Sequence, residues 1–385
     1  MKPYAMIVFL IIVFTVHLLV NIYIFLRGWQ ALAFAPSIRP YYIALFVVLF
    51  LSYIIARALE NYIGYTIAGV FNWIGSFWFA AMLYFFLLIL CIDIIRLLNY
   101  WFHFLPAIFY ADYAKTKILV MLGSIMVVFL LMIYGFINAS QVKISKLDLK
   151  LDKKAGQLKS LNIVMLSDIH LGTIIGAKKL KKITKTINTL SPDIVLFAGD
   201  LVDENIRHVI KQNLGEHLEN ITSKYGSYAV PGNHEFIGGA NAAIAYLEKH
   251  SVKFLLDSAV LIDSVFWLAG RNDKDMKRFT GKERQPLNSL LEGVEKTLPV
   301  ILLDHQPFYL EKTAEAGVDL QLSGHTHNGQ IFPLNLITRA IYNPDWGYRK
   351  IGNSHFYISC GVGTWGPPLR IGNHPEIVNI TLHFI

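Results

Sequence analysis

Residues 4–26, 41–59, 73–92 and 118–137 are four apolar stretches, each about as long as the hydrocarbon core of a bilayer demands. One spanning helix takes roughly 20 apolar residues. In lipid every backbone N–H and C=O must be satisfied internally, so stretches this long and this apolar are read as helices. The second carries Arg57 near its end, Asp93 and Arg96 close the third, and Lys115 and Lys117 precede the fourth. The first exceeds the apolar core of a signal peptide, no Ala-x-Ala site follows it, and three more stretches come after.

Charge divides the chain at the same place. Charged residues are 16% of the 385, against about 25% in soluble domains. Residues 1–140 hold seven Lys/Arg and three Asp/Glu, and residues 141–385 hold the other 28 and 24. We therefore expect a transmembrane domain of about four helices over residues 1–140 and a water-soluble domain over residues 141–385. The soluble part is nearly balanced in charge, which argues against nucleic acid as a partner, because that requires a concentrated basic face. The two cysteines, Cys91 and Cys360, fall in different domains, so no disulfide and no cysteine metal knuckle is expected. Among the polar groups of the apolar half, His17 is expected to bond a neighbouring helix, and Asp93 to pair with Arg96 at a segment end. Lys2, Arg57, Lys143, Lys146, Lys150, Lys153 and Lys154 lie on one side of four spans, with Arg27, Arg39, Arg96, Lys115 and Lys117 on the other. Seven against five places the soluble domain in the cytoplasm.

In the soluble half, short apolar strands alternate with amphipathic helices. Alternation over residues 141–151 reads as a half-buried strand. Buried strands follow over 161–166, 194–197, 228–230, 300–303 and 320–322, with helices near 178–190, 210–223, 240–250 and 309–316. Further strands are expected near 254–256 and 266–269, a short helix after Pro286, and strands beyond Phe356. Five of the strands run straight into polar residues: Asp168-Ile169-His170, Gly199-Asp200, Gly232-Asn233-His234-Glu235, Asp304-His305 and Gly324-His325-Thr326-His327. Strand ends of an α/β sheet converge on one edge, where ligands bind. The chain thus assembles one polar site from five segments.

Asp168, His170, Asp200, Asn233, His234, His305, His325 and His327 combine hard oxygen donors with imidazoles and lack thiolates. Such a set suits a pair of divalent ions such as Mn²⁺, Fe²⁺ or Zn²⁺. Two ions about 3.5–4 Å apart share a carboxylate and a water, lower the pKa of that water and neutralise phosphoryl oxygens. A nearby imidazole can protonate the leaving alkoxide.

These five blocks, in this order, resemble the calcineurin-like metallophosphoesterase family, over about residues 141–385. The resemblance implies a β-sandwich flanked by helices, with a dinuclear metal site at one edge. It implies Asp168, His170 and His327 as ligands of one metal, and Asn233, His305 and His325 as ligands of the other. Asp200 matches the bridging carboxylate, and His234 the residue that contacts phosphate and protonates the leaving group. Ser323–Gln330 and Gly363–Arg370 further resemble a bacterial membrane-associated branch that includes UDP-2,3-diacylglucosamine hydrolases, which split a lipid-bearing pyrophosphate. This points to a bacterial-type inner membrane. The four-span region departs from that branch's simpler anchors.

Several residues have two readings. Asp203 is a supporting residue of the site or a cap, and Glu235 is similar. Arg370 forks onto a substrate phosphate or pairs at the surface. His374 touches substrate or does not. Trp346, Phe332, Trp365 and Ile341 form an apolar loop face for acyl chains or a satellite core. Lys178, Lys179, Lys181, Lys182 and Lys185 meet anionic headgroups or solvent. The leading function is hydrolysis of a phosphoester or pyrophosphate on a lipid or lipid-linked substrate. The alternatives are a phosphodiesterase for small nucleotides and a membrane sensor whose phosphoesterase domain only binds.

Overall fold

The computed structural model describes residues 3–59, 62 and 65–385. Lys2 and Glu60, counted above, lie outside the described residues. The chain divides into two compact units, Met1–Phe136 with Gly366–Leu369, and Ile137–Trp365 with Arg370–Ile385.

The first unit is helical: α1 (Pro3–Ala31), α2 (Arg39–Leu59), α3 (Tyr65–Phe102), α4 (Ile108–Ala111) and α5 (Tyr113–Ala139). Among the described residues four helices are long and apolar enough to cross a membrane, over Ile11–Phe34, Pro36–Ala58, Thr66–Phe102 and Tyr113–Ala139. Large apolar side chains such as Leu119, Leu122, Phe129 and Leu130 are more than half exposed. On a helix of uniform apolarity that is the surface lipid covers. Between helices the packing is aromatic: Phe46 of α2 meets Trp78 of α3 edge-on at 5.4 Å, and Phe25 of α1 stacks on Tyr42 at 5.2 Å. Several buried polar atoms pair between side chains. Trp78 Nε1 donates to Asn21 Oδ1 at 3.0 Å, the interhelical bond that lipid favours. His17 approaches Asn21 one turn on and stacks on Phe50 of α2 at 5.0 Å. Gly75 lets α3 touch α2, since a Cβ there would meet the Tyr53 backbone at 2.6 Å. α3 does not stop at Asp93 and Arg96 but runs 38 residues, to Phe102. The two charges lie three apart on one face and pair at 3.0 Å, while Asp93 also takes Arg27 of α1 at 2.5 Å. A compensated charge does not break a helix.

The second unit contains β1 (Lys143–Leu151), β2 (Ser160–Leu166), β3 (Ile194–Ala198), β4 (Ser227–Val230), β5 (Val252–Phe254), β6 (Ser258–Ile262), β7 (Phe266–Gly270), β8 (Val300–Leu303), β9 (Leu320–Ser323), β10 (Gly347–Ile351), β11 (Ser354–Ile358) and β12 (Glu376–Phe384). One six-stranded sheet has the order β1-β12-β2-β3-β4-β5 and the other β10-β11-β9-β8-β7-β6. With the first sheet go α6 (Ala177–Thr189), α7 (Ile206–Lys211), α8 (Gly215–Glu219), α9 (Asn233–Gly238) and α10 (Ala240–Lys249). α11 (Met276–Thr280) packs Met276 against α9 and α10, α12 (Leu287–Leu290) and α13 (Leu310–Glu315) go with the second sheet, and α14 (Leu334–Ile341) packs on the turn at His327.

Strand side chains alternate between two cores because the pleat has period two. Leu161, Ile163 and Met165 of β2 face Leu268, Ile301 and Leu322 of the other sheet. Val164 and Leu166 point the opposite way, onto Leu180, Ile183 and Ile187 of α6. Ala269 and Leu302 pack outward on Leu290 and Leu291. The architecture is a β-sandwich flanked by helices, as the resemblance implied. β2, β3 and β4 are mutually parallel, as are β7, β8 and β9. Ends of the same kind therefore lie side by side within each sheet.

Candidate metal centre

Each motif begins where a parallel strand ends. The backbone then turns abruptly: Asp168, His170, Asp200, His325 and His327 all have positive φ, between 48° and 74°. Non-glycine residues avoid this region because Cβ crowds the carbonyl, and clusters of such exceptions mark functional sites. Neighbouring backbone holds the turns: Asp168 N donates to Gly199 O and His170 N to Asp200 O, both at 3.0 Å, and Gly324 N to His305 O at 2.9 Å. Two glycines are required by closeness. A Cβ on Gly199, itself at φ 90°, would lie 2.4 Å from His305 Nδ1, and one on Gly232 would lie 2.1 Å from Asp200 Oδ1. His305 Nδ1 meets Ala198 O of β3 at 2.7 Å, which fixes the ring and ties the two sheets together at this edge.

The converging atoms form overlapping groups. Asp168, His170 and His327 make one; His170 Nε2 and His327 Nε2 are 3.1 Å apart, and His327 Nε2 lies 3.5 Å from Asp168 Oδ1. Asp200, His305 and His325 make another, with His305 Nε2 at 3.1 Å from Asp200 Oδ2. Asn233 Oδ1 joins the second, at 2.9 Å from His325 Nδ1 and 3.3 Å from His305 Nε2. Asp200 Oδ2 is also 3.9 Å from His170 Nε2, so this carboxylate stands between the groups. Two nitrogens on one tetrahedral ion, at about 2.0–2.1 Å each, sit roughly 3.4 Å apart. The observed separations match that spacing. Buried lone pairs facing one another with few protons among them suit cations, and this donor set fits divalent metals.

Charge is distributed to the same end. Burial lowers His325 to about 3, reinforced by His305, and burial with His170 and Arg370 lowers His327, so both imidazoles are neutral and ligand-competent. Burial opposes charge on His234, but Asp200 and Asp203 outweigh it and raise its pKa to about 9. Asp203 is partly buried, which opposes charge, yet His170 and His234 hold its carboxyl well below the usual range.

His234 follows Asn233 on α9, and its N–H donates to Asp200 Oδ1 at 2.9 Å. Its Nδ1 faces Asp203 Oδ1 at 3.4 Å, and its ring meets His170 edge-on at 4.6 Å. The sequence left Asp203 divided between two readings; the structure aims its carboxylate at His170 and His234. Glu235 does not reach the cluster. Burial and the charge of Asp200 raise it to about 7, and it accepts from the N–H groups of Gly232, Asp200 and Val202 at 2.7, 3.1 and 2.8 Å, bracing the loops.

Arg370 requires a correction. The phosphate fork expected there is turned inward, because the side chain is fully buried. Its terminal nitrogens donate to the carbonyls of His327, Gly361 and Gly363 at 3.2, 3.1 and 2.7 Å, and to Asn373 Oδ1 at 3.2 Å. Arg370 holds the His327 turn from behind. Asn373, which sequence reasoning missed, helps: its Nδ2 donates to the carbonyls of His327 and Asn328, both at 2.9 Å. Its one signal was the spacing of three from Arg370.

An α/β sandwich whose strand ends gather a buried histidine–carboxylate cluster defines the metallophosphoesterase class. Residues 161–329 match the family described as calcineurin-like phosphoesterase. An uncharacterized metallophosphoesterase of Aquifex aeolicus (strain VF5) is 31% identical over 253 residues, covering 65% of this chain and 95% of that protein. A transmembrane protein with metallophosphoesterase domain from Danio rerio is 32% identical over 273 residues, covering 67% of this chain and 62% of that protein. An uncharacterized metallophosphoesterase of Helicobacter pylori (strain J99 / ATCC 700824) is 35% identical over 246 residues, 62% of this chain and 64% of that protein. The chain thus spans a little under two thirds of the length of the last two relatives. It belongs to the calcineurin-like metallophosphoesterase family, in a membrane-linked form.

Proposed function

We propose that this chain is a membrane-anchored, metal-dependent hydrolase of a phosphoester or pyrophosphate carried by a lipid or lipid-linked molecule. Asp168, His170 and His327 would hold one divalent ion, and Asn233, His305 and His325 the other, with Asp200 between them. Bound ions would supply Lewis acidity toward phosphoryl oxygens and activate water. His234, beside the cluster and charged, donates a proton to the leaving oxygen, and Asp203 orients its ring and sustains its charge. Burial of the cluster limits water and strengthens each of these interactions.

One observation favours a lipid. Trp365 is 55% exposed, and its ring lies 5.9 Å from that of His234. Next to the His327 turn, α14 packs with Leu336, Ile337 and Ile341 all more than half exposed. An apolar ledge thus adjoins the polar pocket, a layout suited to an amphiphile with its phosphate at the metals. The division into residues 1–140 and 141–385, a bacterial-type inner membrane, a cytoplasmic catalytic side and a substrate like those of UDP-2,3-diacylglucosamine hydrolases belong to the same proposal. The test is hydrolysis by the full-length protein with Mn²⁺, with and without Asp200→Ala. Lipid-linked pyrophosphates, phospholipids and soluble nucleotides are compared. Turnover limited to lipid-linked compounds and lost in the variant supports the reading. Turnover of nucleotides alone replaces it with the nucleotide phosphodiesterase.

A further inference from the structure

Within the helical unit, α1, α2, α3 and α5 enclose a cleft of about 620 Å³. That lies within the usual range for a ligand pocket, about 300–1,000 Å³. Its interior is apolar, with Leu45, Leu49, Trp78 and Phe85 among the walls. Its charged lining is Arg27 near the end of α1, Asp93 and Arg96 in the C-terminal third of α3, and Lys117 in the first turns of α5. These lining residues bring three cations and one carboxylate, a net of two positive charges.

The carboxylate is already engaged. Asp93 accepts from Tyr23 Oη at 2.5 Å and pairs with Arg27 at 2.5 Å and Arg96 at 3.0 Å. Arg96 also donates to Tyr113 Oη at 2.7 Å, and Arg27 to Gln30 Oε1 at 3.0 Å. A guanidinium has five N–H donors, more than these contacts use. The Lys117 ammonium rests 4.4 Å over the Tyr113 ring, which does not neutralise it. Two uncompensated positive charges beside hydrocarbon are costly, and ionisable groups placed there mark binding sites. Guanidinium forks match phosphate oxygens. A zwitterionic head brings no net charge to offset the excess, whereas an anionic one does, and the apolar walls continue from the charged mouth as an acyl chain continues from its head.

We propose that this cleft binds one anionic phospholipid, its phosphate held by Arg27, Arg96 and Lys117 and an acyl chain lying along Leu45, Leu49, Trp78 and Phe85. The proposal is independent of what the catalytic unit hydrolyses.

The test measures retention of phosphatidylglycerol and of phosphatidylcholine with matched chains on the full-length protein in neutral detergent, by native mass spectrometry. Wild type is expected to hold phosphatidylglycerol at least about tenfold better, one molecule per chain. Arg96→Gln with Lys117→Gln, which leaves the Arg27–Asp93 pair intact, should remove about tenfold or more of that affinity. Leu45→Trp, which fills the cleft without altering charge, should remove binding, and inorganic phosphate should not compete. Equal retention of both lipids by wild type overturns the proposal without recourse to any variant. So does unchanged binding in Leu45→Trp, which would put the lipid on the outer surface, or displacement by inorganic phosphate.

Discussion

The chemistry of this molecule rests on side chains held where their backbone would not choose to be. Gly232 shows how little room remains, since a methyl group there would lie 2.1 Å from Asp200 Oδ1. Gly232→Ala should lower metal affinity by about 10–100-fold, the usual effect of disturbing a ligand's support, as read by metal titration. Asp203→Asn keeps the shape but removes a charge that, after that of Asp200, sustains His234, and kcat should fall by about 10²-fold. Unchanged kcat in that variant would free His234 from Asp203. A pH effect follows in metal-free protein. There the His234 pKa, about 9, lies above its ordinary 6.5. A raised histidine contributes stability that is fully present below about pH 6.5 and is lost as pH rises through 9. His305, likewise raised, acts in the same direction. Melting of metal-free protein should therefore fall between pH 6.5 and 9, by less in Asp203→Asn. A melting temperature flat across that window would refute the charge assignment.

At the scale of elements, the positions of Asp168, Asp200, Asn233, His305 and His325 were readable because each motif follows an uninterrupted apolar run, and such runs end as strands. What the runs did not carry was conformation. The helix expected near 210–223 is two short helices, α7 and α8, because Asn213 between them adopts φ 52°. β10 was missed because Gly-Tyr-Arg-Lys-Ile has two apolar residues and lies at a sheet edge. α14 was missed because its apolar row faces outward and carries no core signal. Its role is testable: Leu336→Ser with Ile337→Ser and Ile341→Ser should raise KM for a lipid-linked substrate and leave a soluble phosphodiester unaffected. Equal effects on both would reduce the ledge to packing. Arg370 was misread because an arginine in a Gly/Pro-rich loop gives no sign of burial. Its contacts require a fork, so Arg370→Lys should unsatisfy carbonyls around His327, at about 1–3 kcal/mol for each buried group left unpaired, and the melting temperature should drop.

For the whole molecule, composition alone separates an apolar, helical part from a charge-balanced one, while the sandwich was implied only by the resemblance. Metal binding should couple to the stability of the second unit alone. At 100 times its dissociation constant, each ion adds about 2.7 kcal/mol. Chelation should therefore lower one calorimetric transition and leave the helical unit's signal in place.

The order of strands sets a schedule for biosynthesis. β12, residues 376–384, is not an edge strand; it lies between β1 and β2 and pairs with both. The loop that carries Asp168 and His170 follows directly from β2. A nascent chain that has delivered all four apolar helices and every candidate metal-binding motif still lacks the interior strand that pairs with β2. The sheet beside that loop is therefore completed only after the four apolar helices have left the ribosome, so the chain can meet a membrane before its candidate site is framed.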